Sequence, residues 1–136
     1  TRLVSDWSSD VCSSDLCPLV VTATPASGVV LDARPREDAY IAAVGAFTPR
    51  MVELGPAMCR DLMACGTVVV DTRDAEHEAG DLLQAGVDIT ALPSLAEIVR
   101  ESRPRPAGPV LFKSCGWGGW DLAAARLAML RVCAEA

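Results

Sequence analysis

The side chains best suited to nucleophilic, acid–base or metal chemistry in this sequence are one histidine, His77, and six cysteines: Cys12, Cys17, Cys59, Cys65, Cys115 and Cys133. Their spacing assembles none of the usual machinery. No two cysteines stand two residues apart as in a zinc knuckle or redox pair, and one histidine leaves a metal short of ligands, so no metal is expected. His77 lies among acids in "RDAEHEAGDL", and no nucleophile elbow exists for it to serve. A solvent-facing or capping role is expected for it, and buried free thiols in a reducing cytosol for the cysteines. No G-x-G-x-x-G follows an apolar run, and the glycines of "GWGGW" (116–120) have the wrong spacing for a phosphate loop. What remains are small and hydroxylated residues closing apolar runs: Thr22 to Thr24, Gly45 to Thr48, Asp71 to Arg73, and Ser114 to Gly116.

The elements that must position these residues read as strands alternating with helices. "CPLVVTAT" (17–24), "AYIAAVGAF" (39–47), "TVVVDT" (67–72) and "PVLFKSCG" (109–116) are compact apolar runs of strand type, and Pro25, Ser27 and Gly28 mark a turn after the first. Residues 50–66 place Met51, Leu54, Met58, Leu62 and Met63 at helical spacing, with Gly66 as C-cap. Residues 73–86 form a second helix, its early acids favoured by the helix dipole and Gly86 at its end. Ser94 caps a short helix, "LAEIVRES", and "WDLAAARLAMLRVCAEA" is a strong helix former nearly throughout. Continuous apolar strands between helices predict a parallel α/β sheet covered on both faces, with ligands at the strands' carboxyl ends. Lys113 is the one cation inside such a run, and strand alternation turns it away from the Ser114 side, into a structural role.

Composition removes several classes. Half the residues (51%) are hydrophobic and 4% aromatic, which suits a sheet covered by helices better than a small barrel or disulfide scaffold. A net charge of -6 with scattered basic residues argues against a nucleic-acid surface. No apolar run approaches the ~20 residues needed to span a bilayer, so a cytoplasmic protein is expected.

From Cys17 onward, "VVTATP", "AAVGAFTPRMVEL", "VVVDTRDAEHEAGDL" and "VLFKSCGWGGWDLAAARLA" resemble, in order and spacing, the patterns "TxT", "NAVGxxxPxxxEL", "EAGDL" and "FKSxGxxxxDLAAA" of the ornithine cyclodeaminase / mu-crystallin family. The resemblance implies the C-terminal half of a Rossmann-type, doubly wound parallel sheet (17–116). It also implies a C-terminal helix (117–136) returning toward a substrate and dimerisation domain, and a homodimeric parent. The family's glycine fingerprint and substrate-binding basic residues would precede Cys17, so no catalytic residue can be named here. Residues 1–16, "TRLVSDWSSDVCSSDL", match no signal peptide or calcium loop. Back-translated in one frame, they resemble an indexed short-read sequencing adaptor, so they are expected not to be native protein; a solvated acidic tail is the alternative.

The same resemblance assigns roles. Thr22, Ala23 and Thr24 match the segment passing the nicotinamide ribose, and Ala43, Val44, Gly45 and Ala46 the segment under the nicotinamide ring, with Gly45 permitting close approach. Ser114 would bond the carboxamide; Phe47, Cys115 and Gly116 would face substrate. Packing at the strand ends is the competing role for each, and for Trp117 and Trp120 the favoured one. Phe47 replaces the aspartate of the cyclodeaminase branch and can neither donate nor accept a proton. The resemblance is therefore nearest to members that reduce cyclic imines, Δ1-pyrroline-2-carboxylate and Δ1-piperideine-2-carboxylate, with NADH or NADPH. A cofactor-holding crystallin-type protein, an amino-acid dehydrogenase and a cyclodeaminase are the alternatives.

Overall fold

The computed structural model describes residues 17–134; residues 1–16, with Cys12 and the adaptor reading, lie outside the described residues. The elements run β1 (Leu19–Thr22), β2 (Ser27–Leu31), β3 (Tyr40–Ala43), β4 (Val52–Leu54), α1 (Pro56–Cys65) and β5 (Thr67–Val70). They continue as α2 (Ala75–Glu78), α3 (Gly80–Gln84), a 3-10 turn (Ile89–Ala91), α4 (Leu95–Arg100), β6 (Val110–Lys113) and α5 (Gly118–Ala134). Strands β1, β3, β6 and β5 form one parallel sheet in that order, so the last strand inserts between β3 and β5. This is the α/β architecture expected, with all four predicted strands in one sheet. No helix among the described residues is long and apolar enough to cross a membrane.

Register aligns side chains into rows. Val20, Ile41, Leu111 and Val68 form one row and Thr22, Ala43, Lys113 and Val70 the next. This face carries the core, completed by Leu54, Met58 and Leu62 and by Ala75, Ala79 and Leu82. The other face is not covered as expected. Leu19 and Val21 are 63% and 61% exposed, and Tyr40 is exposed beside them; only toward β5 does burial return, at Val69.

Three local expectations change. Residues 50–54 are not helical, because Pro56 is pre-set for a first helical position and drives Gly55 into extended backbone (φ -63°, ψ 139°). The freed Val52–Leu54 becomes β4 and pairs with β2, which forms where only a turn was read. The helix over 73–86 is two pieces, broken at Ala79 (ψ 76°). The break seats Gly80 against the chain: a Cβ there would overlap the carbonyl oxygens of Met51 and Thr48. Gly86, at φ +74°, ends α3 as expected, with Val87 N–H closing back on Leu82 O. The cysteines also differ from expectation. Cys59 is buried, but Cys17 and Cys115 are half-buried and Cys65 and Cys133 exposed; all five are free.

Candidate functional site

Because the main sheet is parallel, Thr22–Thr24, Gly45–Thr48, Asp71–Arg73 and Ser114–Gly116 gather at its carboxyl end. Two buried carboxylates hold these segments. Glu53, on β4, accepts from Thr24 N–H (2.6 Å) and Thr24 Oγ1 (3.0 Å) with Oε1, and from Gly45 N–H (2.8 Å) and Ala46 N–H (3.1 Å) with Oε2. Asp71, following β5, accepts with Oδ2 from Ser114 Oγ (2.9 Å), Cys115 N–H (2.7 Å) and Gly116 N–H (2.8 Å), and with Oδ1 from Thr72 N–H (2.7 Å). Backbone donors past a strand end have no ladder partner, and these carboxylates supply one.

Glu53 is itself anchored. Its N–H and that of Leu54 donate to Asp81 Oδ1 at 2.5 and 2.8 Å. The other Asp81 oxygen pairs with Lys113 Nζ at 2.8 Å, and Lys113 donates onward to Ala46 O at 2.6 Å. Glu53, Asp81 and Lys113 are each 0% exposed, so every charge in the chain of contacts is met by an opposite charge or a hydrogen-bond donor. Burial opposes ionisation of Glu53, but the N–H groups of Thr24, Gly45 and Ala46 outweigh it and hold the carboxyl below its ordinary range. Burial pushes the Cys115 thiol up to about 12, which leaves it protonated and a poor nucleophile at neutral pH.

The structure thus joins Thr24, Gly45 and Ala46 through Glu53, and Ser114, Cys115 and Gly116 through Asp71. Ala23, Val44, Phe47 and Gly116 are exposed at this end; Thr22, Ala43, Ala46 and Ser114 are buried. The hydroxyl protons of Thr24 and Ser114 are committed to the carboxylates; Ser114 Oγ also accepts from Gly116 N–H at 3.3 Å, which leaves it one lone pair for a ligand. Thr22 Oγ1 is buried without a hydrogen-bond partner among the described residues. A Cβ on Gly45 would overlap the Thr24 backbone and Glu53 Oε1, so this glycine makes room for the carboxylate clamp. Lys113, the last residue of β6, lies on the core face, as strand alternation predicts. His77 is exposed on α2, and no metal-binding cluster exists among the described residues. Trp117 and Trp120 pack edge to face, 6.5 Å apart, over a groove of about 750 Å³ that also touches Asp71 and Arg73. None of the expected cofactor and substrate residues lines that groove; they stand at the strand ends, part exposed and part buried.

Sequence reasoning passed over Glu53 and Asp81, reading the first into a helix and the second as an acid near a helix start. The available signal was Lys113: an ammonium inside an apolar strand requires a buried anion, and Asp81 in "AGDLL" is one of several acids set in apolar sequence.

No family model matches the chain. Over 114 residues, 84% of the chain, it is 41% identical to the Δ1-pyrroline-2-carboxylate/Δ1-piperideine-2-carboxylate reductase of Azospirillum brasilense. It is 40% identical over the same length to Δ1-pyrroline-2-carboxylate reductase 2 of Burkholderia ambifaria. The chain is thus similar to Δ1-pyrroline-2-carboxylate reductases. It spans 35% of the length of these two reductases. Among solved structures, the probable ornithine cyclodeaminase from Bordetella pertussis matches 90% of the chain and 41% of its own, at TM-score 0.72 and 26% identity. The Δ1-pyrroline-2-carboxylate reductase of Thermococcus litoralis, solved with NADH and L-proline, matches 76% of the chain and 34% of its own, at TM-score 0.63 and 26% identity. The resemblance to the ornithine cyclodeaminase family, and the α/β fold drawn from it, agree with the reductase and cyclodeaminase likenesses alike.

Proposed function

We propose that this chain is part of an NAD(P)H-dependent reductase of cyclic imino acids, converting Δ1-pyrroline-2-carboxylate or Δ1-piperideine-2-carboxylate to L-proline or L-pipecolate. The carrying observation is the 41% identity, over 84% of the chain, to a protein named for both substrates. The parent is read as a cytoplasmic homodimer.

The strand ends fit a nicotinamide cofactor. Ala23 and Val44 offer small, exposed apolar contacts, and Ser114 Oγ, its proton held by Asp71, is an acceptor suited to a carboxamide N–H. Thr22 Oγ1 is a buried hydroxyl in want of a partner. The cofactor, when bound, supplies the hydride for the imine carbon. The chain's own part is to orient and to exclude water. Glu53 and Asp71 fix the loops, and exposed Phe47 presents an apolar wall to the ring methylenes of a cyclic imine. Phe47, standing where the resemblance places the aspartate of the cyclodeaminase branch, can neither donate nor accept a proton, which favours this reading over a cyclodeaminase. The receiver of the substrate carboxylate is assigned to residues preceding Cys17 in the parent.

The second reading is a protein that holds nicotinamide cofactor without turnover. One experiment separates the two. The complete reading frame is recovered from source DNA and expressed, and NADPH and NADH oxidation is followed with Δ1-pyrroline-2-carboxylate. Prompt oxidation is expected. Cofactor binding without oxidation would move the protein to the second reading. The recovered DNA also tests residues 1–16: an intact genome encoding "TRLVSDWSSDVCSSDL" overturns the adaptor reading.

A further inference from the structure

We infer that Glu53 is the positioning residue for the nicotinamide end of the site: its carboxylate, braced by Asp81 and Lys113, sets the distance between the β1 and β3 carboxyl ends on which the cofactor lies. The inference rests on the reading of those ends as a cofactor site and deepens it.

Thr24 follows β1, and Gly45 and Ala46 follow β3. No backbone hydrogen bond joins these three residues to one another; Val44 N–H to Thr22 O, at 2.9 Å, is the last rung between the two segments. Beyond that rung Glu53 alone spans the gap, taking Thr24 with one oxygen and Gly45 and Ala46 with the other. A carboxylate is the only side chain that offers two acceptor oxygens and no donor to such a ring of N–H groups. Gly45 is shaped to admit it, since a Cβ would overlap Glu53 Oε1. The brace is independent of the clamp: Asp81 holds the Glu53 backbone, and Lys113 holds both Asp81 and the carbonyl of Ala46. Both peptide faces of the Ala46 segment are thereby fixed, its N–H by Glu53 and its C=O by Lys113. Glu53 touches neither hydride nor imine in this arrangement; it acts through the loops.

The test uses the complete reading frame. Glu53→Gln keeps the side chain's size but turns one acceptor into a donor aimed at N–H groups. The dissociation constant for NADPH, read by fluorescence titration, should rise about tenfold, as expected for losing hydrogen bonds to a charged group. KM for the imine should rise by a smaller factor, because of the expected substrate contacts only Phe47 lies on a segment that Glu53 holds, Cys115 and Gly116 being held by Asp71. Hydrogen exchange should quicken in peptides covering 22–25 and 43–47 and remain unchanged in α1. Glu53→Asp, which keeps both acceptors on a shorter stem, should recover part of the affinity. Unchanged NADPH affinity in folded Glu53→Gln, or equal losses in cofactor and imine binding, overturns the inference. If Glu53→Gln does not fold, the wild type decides. Amides of Thr24, Gly45 and Ala46 must exchange slowly without cofactor, and exchange at open-loop rates overturns the inference. A wild type that binds NADPH but reduces no cyclic imine defeats the reductase reading alone and leaves the clamp measurable. One that binds no nicotinamide cofactor defeats both.

Discussion

The two faces of the sheet are made of the same strands, yet one is sealed and the other open. On the sealed face, Thr22, Ala43, Lys113 and Val70 stand in one row and are all buried, with a lysine and two acids accommodated among apolar groups. On the open face, Leu19 and Val21 stand beside Tyr40 with more than two fifths of each exposed. Apolarity alone therefore does not place the core of this chain. The sealed face is the one where connected polar contacts at the strand ends draw β4, α3 and the loops onto the sheet. A buried ionic chain of this kind is costly to break by removing one partner.

That contrast sets the order of expected effects. Lys113→Ala, which strands Asp81 without its countercharge, should cost about 3–5 kcal/mol in urea unfolding; a loss below 1 kcal/mol would show that the buried pair does not hold the face. Gly45→Ala forces a methyl into the Thr24 backbone and Glu53, and should cost about 1–3 kcal/mol while loosening the β1 and β3 ends together. A surface contact gives a smaller, pH-dependent signal. The Arg73 hydrogen bond is the chief cause holding the Glu97 carboxyl at about 2, against an ordinary 4.5. A carboxyl lowered in the folded state adds stability above its unfolded value and loses it as pH falls toward about 2. Wild type should therefore exceed Arg73→Gln slightly at neutral pH, and the difference should shrink in high salt and, toward pH ~2, fall to what the Arg73 hydrogen bond to Leu92 O contributes. Val21→Thr, on the open face, should change stability by no more than about 0.5 kcal/mol. A larger loss would mean that this face is covered in solution.

Much of this frame was legible beforehand. The strands β1, β3, β5 and β6 stood out as unbroken apolar runs, and Gly86 and Ser94 marked helix ends correctly, Ser94 N–H bonding Glu97 Oε2 at 2.8 Å. What stayed hidden depends on partners distant in sequence. The triplet Val52-Glu53-Leu54 satisfies a helical pattern as well as a strand, and Pro56 together with pairing to β2 decides between them. Asp81 fits a helix dipole equally well until the break at Ala79 turns it inward. Exposure of the second face was hidden for a different reason: a run such as "LVVT" records that a strand is apolar on both sides, and not what lies against either. At the candidate site, the small residues at the strand ends were visible, while the carboxylates that hold them were not.

Gly116 carries a mechanical consequence. It sits at φ +88°, a left-handed conformation that other residues adopt only with strain, between the end of β6 and the first turn of α5. Its N–H is pinned by Asp71. Helix α5 has 17 residues, about 25 Å of nearly rigid rod at the usual rise, and residues 121–133 are exposed along it. It is a pointer mounted on a one-residue pivot: a swing of ~10° at Gly116 carries its tip roughly 4 Å, given that length. The Asp71 carboxylate thus moors the base of that lever to the end of β5.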